Sequence, residues 1–343
     1  MPAANAGIPR KHLSGKEFFM CTCIDFKTKD HYFGRNLDLE YRFDEKVVIT
    51  PRNYCFALKN DSTIHTKYAM IGMASVKDNY PLYAEATNEK GLSIAGLYFP
   101  QNAHFNPGEK DKFNLCPYEL FPYFLGLYAS VAELREILSR LNITDIPLTP
   151  DLPVAQLHWM ISDETECIIL EQMEGGLKIY DNPVGILTNN PPFGYHLANL
   201  NNYMNLTPCC PENRFSDKLN LQQYGMGMGA IGLPGDSSPT SRFVKASFTK
   251  FNSVCEENEE SSVTQFFHIL DSVSVVRGTS LTKDGLDDLT TYSCCINTTR
   301  GIYYYKTYNN SQITAIRMTG REKCRKTLCI HELIDTQQIR YLN

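Results

Sequence analysis

Two cysteines, Cys21 and Cys23, stand one residue apart at the start of a predicted strand, in the sequence MCTCIDF. A polar stretch, KTKD, separates this strand from a second one, HYFGRN, and the pattern predicts a β-hairpin. A turn centred at Lys29–Asp30 would place Cys21 opposite Asp38, with Arg35 close by. We therefore expect one of the cysteines beside an arginine and an aspartate.

That arrangement favours a reactive thiol. A nearby guanidinium stabilises the thiolate and lowers the cysteine pKa from its free value of about 8.5. If the chain is cut before Cys21, the new α-amine, when neutral, can act as the base, and Asp38 can hold its ammonium form. The alternative is a structural hairpin in which Arg35 and Asp38 pair with each other on the surface.

Two other residues stand in unusual local contexts. Arg242 falls at the start of the predicted helix SRFVKASFTKF, where the helix dipole disfavours a cation. A negative group is expected near it, and a surface salt bridge is the alternative. Asn189 ends the predicted strand GILTNN before Pro191, so its amide is either a rigid donor for an oxyanion hole or simply a turn residue.

The charge balance excludes several classes of partner. The chain of 343 residues has 33 Lys plus Arg against 38 Asp plus Glu, without the basic patch of a nucleic-acid-binding protein. No apolar run reaches the roughly 18 residues of a membrane span, and the first 20 residues lack the apolar stretch of a signal peptide. We expect a cytoplasmic protein with twelve reduced cysteines and neither nucleic acid nor membrane as partner.

Motifs for metals and cofactors are weak or missing. The eight histidines contain no His-x-x-x-His pair, and Cys-Thr-Cys is one residue shorter than the Cys-x-x-Cys of metal sites. The sequence GMGAIG has the glycine spacing of dinucleotide sites, but no strand precedes it and no helix follows. There is also no G-x-S-x-G serine motif. We expect no metal and no cofactor.

The elements that must position these residues come in blocks. Hydrophobic patterning predicts the first strands at residues 21–26, 31–36, 47–54, 67–75 and 91–99. Helices follow in 117–141, and strands return at 155–163, 167–182, 184–190, 290–297, 301–309 and 312–318. Strands, then helices, then strands indicate an α+β fold of mostly antiparallel sheets covered by helices. We find no linker or repeat that would divide the chain.

Three helix starts can be read from the sequence. Ser130 with Glu133 predicts a capping box, and Ser262 with Gln265 predicts a second one. Another helix is predicted to begin near Ser241, after a stretch rich in glycine, proline and serine.

Over residues 20–340 the chain resembles the choloylglycine hydrolase family, which contains conjugated bile salt hydrolases and penicillin V acylases. The resemblance rests on ordered motifs: MCT, FGRNLDLEY, NEKGLSIAGLYFP, LHWMISD, LTNNPPF, GLPGDSSPTSRF, VRGTS and GIYYYKTY. It implies the N-terminal-nucleophile (Ntn) hydrolase fold, a four-layer αββα sandwich, with one catalytic domain over residues 21–343. Residues 1–20 would be an extension or propeptide that is either cleaved or retained; alternatively, synthesis starts at Met20, which is then removed.

The resemblance assigns a role to each candidate. Cys21 matches the family nucleophile, Arg35 the arginine beside the thiol, and Asp38 the aspartate that orients the freed amine. Arg242 matches an arginine near the nucleophile.

The resemblance also implies two donors to the oxyanion, the side-chain amide of Asn189 and the backbone N–H of Tyr98. The Cys21 thiolate would attack an amide carbonyl, and water would then release the acyl group from the thioester. Oxyanion donors of this kind are worth about 3 kcal/mol each.

The resemblance further implies a substrate pocket and an assembly. The substrate pocket would be lined by Leu37, Phe43, Ala84, Tyr98, Leu148 and Leu152. The segment from Asn199 to Tyr224 resembles one that related enzymes use to form homotetramers.

Four functions remain open at this point. The leading one is hydrolysis of bile salts conjugated with glycine or taurine, and the second is a penicillin V acylase or broader N-acyl amidase. Tyr98 favours the second, because bile salt hydrolases usually have asparagine at that position. The others are a non-catalytic small-molecule-binding protein with a blocked N-terminus, and a redox pair formed by Cys21 and Cys23.

Overall fold

The computed structural model describes residues 20–150 and 153–343. Within them the strands, numbered in chain order, are β1 (Met20–Lys27), β2 (His31–Leu39), β3 (Lys46–Thr50), β4 (Cys55–Ala57), β5 (Thr63–His65), β6 (Met70–Lys77), β7 (Tyr80–Asn88), β8 (Ser93–Tyr98), β9 (Phe113–Leu115), β10 (Leu141–Ile143), β11 (Leu157–Ser162), β12 (Cys167–Met173), β13 (Gly176–Asp181), β14 (Ile186–Leu187), β15 (Leu289–Asn297), β16 (Ile302–Thr307), β17 (Asn310–Arg317) and β18 (Cys329–His331).

The helices are short and flank the strands. They are α1 (Leu120–Leu127), α2 (Val131–Leu138), α3 (Phe193–Asn199), α4 (Pro239–Asn252), α5 (Glu259–Asp271) and α6 (Gly320–Lys323), with 3₁₀ turns at Pro117–Glu119, Leu200–Tyr203 and Met228–Ala230. Within the described residues, no helix has the length and apolar character needed to cross a membrane.

Two large antiparallel sheets form the centre of the molecule. One has six strands in the order β14-β1-β2-β15-β16-β17, and the other has eight in the order β13-β12-β11-β8-β7-β6-β3-β18. A core of buried side chains fills the space between the sheets and under α4 and α5. A second core joins the far face of the eight-stranded sheet to α1 and α2. The predicted α+β fold, a four-layer αββα sandwich of the Ntn hydrolase type, is confirmed.

The hairpin of β1 and β2 forms as predicted, but its register differs by one residue. Cys21 lies opposite Leu37, Cys23 opposite Arg35, and Met20 opposite Asp38. The predicted pairing of Cys21 with Asp38 is wrong because the loop has three residues, 28–30. A two-residue loop needs residues that adopt positive φ easily, such as Asn-Gly, and Lys-Asp does not supply them.

Two of the three predicted helix starts are close to the observed ones. The Oγ of Ser130 accepts from the backbone N–H of Glu133 at 3.2 Å and caps α2. Helix α4 begins at Pro239, two residues before the predicted start. The predicted cap at Ser262 is wrong, because α5 already begins at Glu259 with Asn258 as its N-cap, and Ser262 is buried inside the helix.

Strand β7 and the short strands β4, β5, β9, β10 and β18 were not predicted. Five of these six strands have only three residues, too few for a recognisable alternation. The predicted extension, residues 1–20, lies outside the described residues apart from Met20. All twelve cysteines fall in the described part of the chain and are free thiols there.

Gly34, in the centre of β2, allows the backbones of β2 and β15 to approach closely. A Cβ atom at this position would lie 2.1 Å from the carbonyl oxygen of Cys294. We expect Gly34→Ala to lower the free energy of unfolding by about 3 kcal/mol, because two central strands would have to separate. Urea denaturation measures this change. Gly175→Ala is the control, since nothing lies within 4 Å of its Cβ position; equal stability of the two variants would contradict the prediction.

Candidate active site

Cys21, the second residue of β1, has only 3% of its surface exposed. Its backbone N–H donates to the Oδ1 of Asn189 at 2.8 Å, and its carbonyl oxygen accepts from the Nη1 of Arg242. Strands β14 and β2 flank β1 in the sheet. The backbone around the thiol is therefore held by strands and by side-chain contacts.

Arg35 is fully buried and bridges the two sheets. Leu37 lies opposite Cys21, and Arg35 is two residues before Leu37 in the same strand. Side chains two residues apart in a strand share a face, so Arg35 projects on the same face as Cys21. Its Nη1 donates to the carbonyl oxygens of Gly96 at 2.6 Å and Ala84 at 3.2 Å, in β8 and β7 of the other sheet. Among the described residues, its Nη2 has no hydrogen-bond partner.

Glu85 lies behind Arg35, and it was not predicted to belong to the site. Its carboxylate is 4.0 Å from the Nε of Arg35 and accepts hydrogen bonds from the hydroxyls of Tyr292 at 2.8 Å and Tyr303 at 2.5 Å. Burial raises the pKa of Glu85, while Arg35 and the two tyrosines oppose that rise. A charged residue inside the apolar strand PLYAEAT was the available signal.

Burial raises the pKa of the Cys21 thiol above its ordinary value. Arg35 is the strongest influence in the opposite direction, and a backbone hydrogen bond from Tyr98 and the charge of Arg242 also lower this pKa. The expected effect of the arginine on the thiol is present, but desolvation outweighs it.

Asp38 lies on the other face of β2, opposite Met20. It is fully buried, and its Oδ1 accepts from the hydroxyl of Thr290 at 2.6 Å. Burial raises the pKa of Asp38 to about 6, although Arg242 and Thr290 lower it. A surface pair between Arg35 and Asp38 is therefore wrong: both are buried, and they point to opposite faces of the strand.

Asn189 follows β14, and its amide has a defined orientation. The Oδ1 accepts from Cys21 and from the Nη2 of Arg242 at 2.8 Å, while the Nδ2 donates to the carbonyl oxygen of Tyr98 at 2.8 Å. An amide NH₂ has two hydrogens, so one N–H of Asn189 is left beyond this bond. The structure brings both predicted oxyanion donors, at Asn189 and Tyr98, next to Cys21.

Two buried histidines hold the backbone that carries Asn189. His196 lies 2.9 Å from the Asn189 carbonyl oxygen through its Nε2, and His158 lies 3.0 Å from the Thr188 carbonyl oxygen. Burial lowers the pKa of His196 to about 4, so its ring is neutral near pH 7. His158 stacks on Phe99 with ring centroids 4.2 Å apart. Neither histidine was predicted to belong to the site.

Arg242 is fully buried in the first turn of α4. Besides Cys21 and Asn189, it donates to the Oγ1 of Thr22 at 2.7 Å and to the carbonyl oxygen of Ser237 at 2.9 Å. Burial lowers the pKa of this guanidinium. The predicted surface salt bridge of Arg242 is therefore wrong, because the side chain is buried. All the hydrogen bonds of its guanidinium go to neutral oxygen atoms.

The predicted substrate-pocket residues are spread over several environments. Leu37 lies directly across from Cys21, and the Ala84 carbonyl contacts Arg35. Phe43 and Leu148 are partly buried, and Leu152 lies outside the described residues. Together with Tyr98, these residues stay a prediction.

A cavity of about 250 Å³ adjoins the site and is lined by a different set of residues, among them Met20, Asn189, Leu281 and Asp288.

Cys23 lies beside Arg35, but burial raises the pKa of its thiol well above the ordinary value, which disfavours a reactive thiolate. Within the described residues, no group of histidine, cysteine and acidic side chains could hold a metal ion.

The two stacked sheets and their helix layers define an Ntn-type amide hydrolase fold. The chain matches the sequence model of the linear amide C–N hydrolases, choloylglycine hydrolase family, over residues 21–330, and it belongs to that family. It is accordingly an amide hydrolase, not a non-catalytic binding protein.

Its relatives include enzymes from several bacteria. The chain is 45% identical over 320 residues to the bile salt hydrolase/transferase of Lactiplantibacillus plantarum, covering 93% of this chain and 95% of the relative. It is 39% identical over 304 residues to the conjugated bile acid hydrolase of Lactobacillus gasseri, covering 87% and 96%.

Solved structures agree with the fold. An arginine-to-leucine variant of the conjugated bile acid hydrolase from Clostridium perfringens has a TM-score of 0.88 and 39% identity, covering 94% of this chain and 100% of that chain. A penicillin V acylase from Agrobacterium tumefaciens has a TM-score of 0.70 and 21% identity, covering 92% and 94%, and shares the fold.

The position of Arg35 predicts how Cys21 reacts. In Arg35→Met, we expect the pKa of Cys21 to rise, because the charge that lowers it most is lost. Iodoacetamide should then alkylate Cys21 about tenfold more slowly at pH 8. Peptide mass spectrometry follows Cys21 among the other cysteines. A double variant, Arg35→Met with Glu85→Gln, is tested as well, because it does not leave the buried Glu85 carboxylate without its cation. Arg52→Met, at a half-exposed ion pair with Glu89, is the control; equal rates in all variants would refute the prediction.

Proposed function

We propose that the mature protein begins at Cys21 and hydrolyses the amide bond of bile salts conjugated with glycine or taurine. The hydrogen bond from the Cys21 nitrogen to Asn189, 2.8 Å long, carries the mechanistic part. The nitrogen that would become the free amine already lies inside the buried site, next to the thiol. The proposed substrate rests on the relatives. Those that are named as bile salt or bile acid hydrolases are 39–45% identical to this chain over most of both sequences.

The first step joins nucleophile and base in one residue. Cleavage before Cys21 converts its peptide nitrogen into an α-amine, which when neutral takes the proton of the Cys21 thiol. Arg35 stabilises the resulting thiolate, and Asp38 holds the resulting ammonium. The sulfur then attacks the carbonyl carbon of the amide substrate.

Attack places negative charge on the substrate oxygen. The backbone N–H of Tyr98 and the remaining N–H of Asn189 stabilise that charge, each by about 3 kcal/mol. The ammonium of Cys21 gives its proton to the nitrogen of the leaving glycine or taurine as the C–N bond breaks. Water then attacks the thioester, releases the bile acid and restores the thiol.

The same proposal includes the organisation of the chain. Residues 21–343 would form the single catalytic domain, and residues 1–20 would be absent from the mature enzyme. The match to the family begins at residue 21, which supports this boundary. The cytoplasmic location stays a prediction.

We infer that the enzyme assembles into a homotetramer through the segment from Asn199 to Tyr224. Large apolar side chains are exposed in this segment and just after it: Phe215 is 82% exposed, Tyr224 85% and Met226 92%. Exposed apolar side chains clustered in one segment are typical of a protein–protein interface.

We expect Cys21→Ala to lower the hydrolysis of glycocholate and taurocholate by more than about 10⁴-fold, because the nucleophile is removed. N-terminal sequencing of the active wild-type protein should read Cys21 first, and Cys23→Ala should stay active. Chromatography of the released bile acid measures each rate.

The same assay separates the competing functions. Cleavage of penicillin V alone would reject bile salts in favour of an N-acyl amidase. An active wild-type enzyme that retains residues 1–20, or an active Cys21→Ala, would reject the mechanism.

The assembly has its own test. We expect Phe215→Ser with Met226→Ser to dissociate the tetramer, because two large apolar groups per subunit leave the interface. Sedimentation velocity measures the change. Val254→Ser, at a side chain 87% exposed outside the segment, is the control. A monomeric wild-type protein would contradict the inference.

A further inference from the structure

Asp288 is a second buried carboxylate beside the candidate active site. It directly precedes β15 and is 3% exposed. Thr290, two residues further on, donates to Asp38, and residues two apart in extended chain point to the same side. Asp288 therefore faces the side of the sheet on which Asp38 lies, and it lines the same cavity as Met20 and Asn189.

The two carboxylates have hydrogen-bonding capacity that the neighbouring arginine does not use. Among the described residues, Asp38 Oδ2 and Asp288 Oδ1 are buried without a hydrogen-bond partner. Arg242 is the nearest cation on this face, and its hydrogen bonds go to neutral oxygens of Cys21, Thr22, Asn189 and Ser237.

The electrostatics agree with this geometry. Burial and the charges of Asp38 and Glu40 together raise the pKa of Asp288 to about 7, against the opposing charge of Arg242. Two carboxylates in a buried site favour ionisation together only when a cation lies between them.

We propose that Asp288 is a positioning residue that, together with Asp38, holds the α-ammonium group of Cys21. The inference rests on the proposed function, in which Met20 is absent and Cys21 is the first residue. The peptide N–H of Cys21 now donates to Asn189. An α-ammonium has three N–H donors; one keeps the bond to Asn189, and two remain for Asp38 Oδ2 and Asp288 Oδ1.

This arrangement sets the pH at which the enzyme works. A carboxylate beside the ammonium stabilises its charged form and raises the pKa of the amine, whereas the reaction requires the neutral amine. Removing the charge of Asp288 lowers the pKa of the amine and of the thiol in the same direction. The other charged groups facing Cys21, namely Arg35 and Asp38 from β2 and Arg242 from α4, stay in place, as does Glu40 after β2.

The test compares Asp288→Asn with Asp284→Asn, which removes an exposed charge from the same loop. The pH dependence of kcat/KM is measured for each, on whichever conjugated bile salt or other amide the wild-type enzyme hydrolyses. We expect the acid limb of the profile for Asp288→Asn to move to lower pH by about one unit. The profile of Asp284→Asn should superimpose on that of the wild type.

Asp288→Glu should restore the wild-type profile, which a purely structural effect would not predict. An acid limb unmoved in Asp288→Asn overturns the inference. If that variant does not fold, Asp288→Ser decides by the same criterion. An inactive wild-type enzyme, or an active Cys21→Ala, would instead refute the proposed function, so the two failures are distinguishable.

Discussion

The hydrogen bond between the Cys21 nitrogen and Asn189 Oδ1 is the contact on which the site depends. It joins the start of β1 to the segment after β14, and the same oxygen accepts from Arg242 on α4. The opposite end of the amide reaches Tyr98 at the end of β8 in the other sheet. One side chain thus brings together both sheets and the helix layer at the thiol.

The alternation of β2 divides the charges around Cys21 between two faces. Arg35 projects between the sheets, where it meets Glu85 and the carbonyl oxygens of Gly96 and Ala84. Asp38 projects to the other face, towards Thr290. The sulfur is therefore on the side of the cation, while the backbone nitrogen at the end of β1 is within reach of the carboxylates. In the proposed reaction this division places the thiolate beside Arg35 and on the opposite face from Asp38, whose charge raises the pKa of the thiol.

Much of the fold could be predicted from the sequence, because alternation in the hairpin and the block order of strands and helices are local signals. Cys21, Asn189 and Arg242 also stood in unusual local contexts. The hairpin register depends on whether the loop has two or three residues, and residue propensities do not distinguish these two loop lengths. The charge of Glu85 inside an apolar strand was a local signal that this residue is unusual, but the positions of Glu85 and Asp288 beside the site result from strand pairing and sheet packing. The true start of α5 was missed because Asn258 is an equally good cap.

The three hydrogen bonds of the Asn189 side chain fix which way its amide points. Turning it by 180° would set its NH₂ against the N–H groups of Cys21 and Arg242, and its oxygen against the Tyr98 carbonyl. Folding thus aligns this dipole before any ligand arrives. The reorganisation energy that a mobile amide would require at the moment of reaction is already met by the native packing.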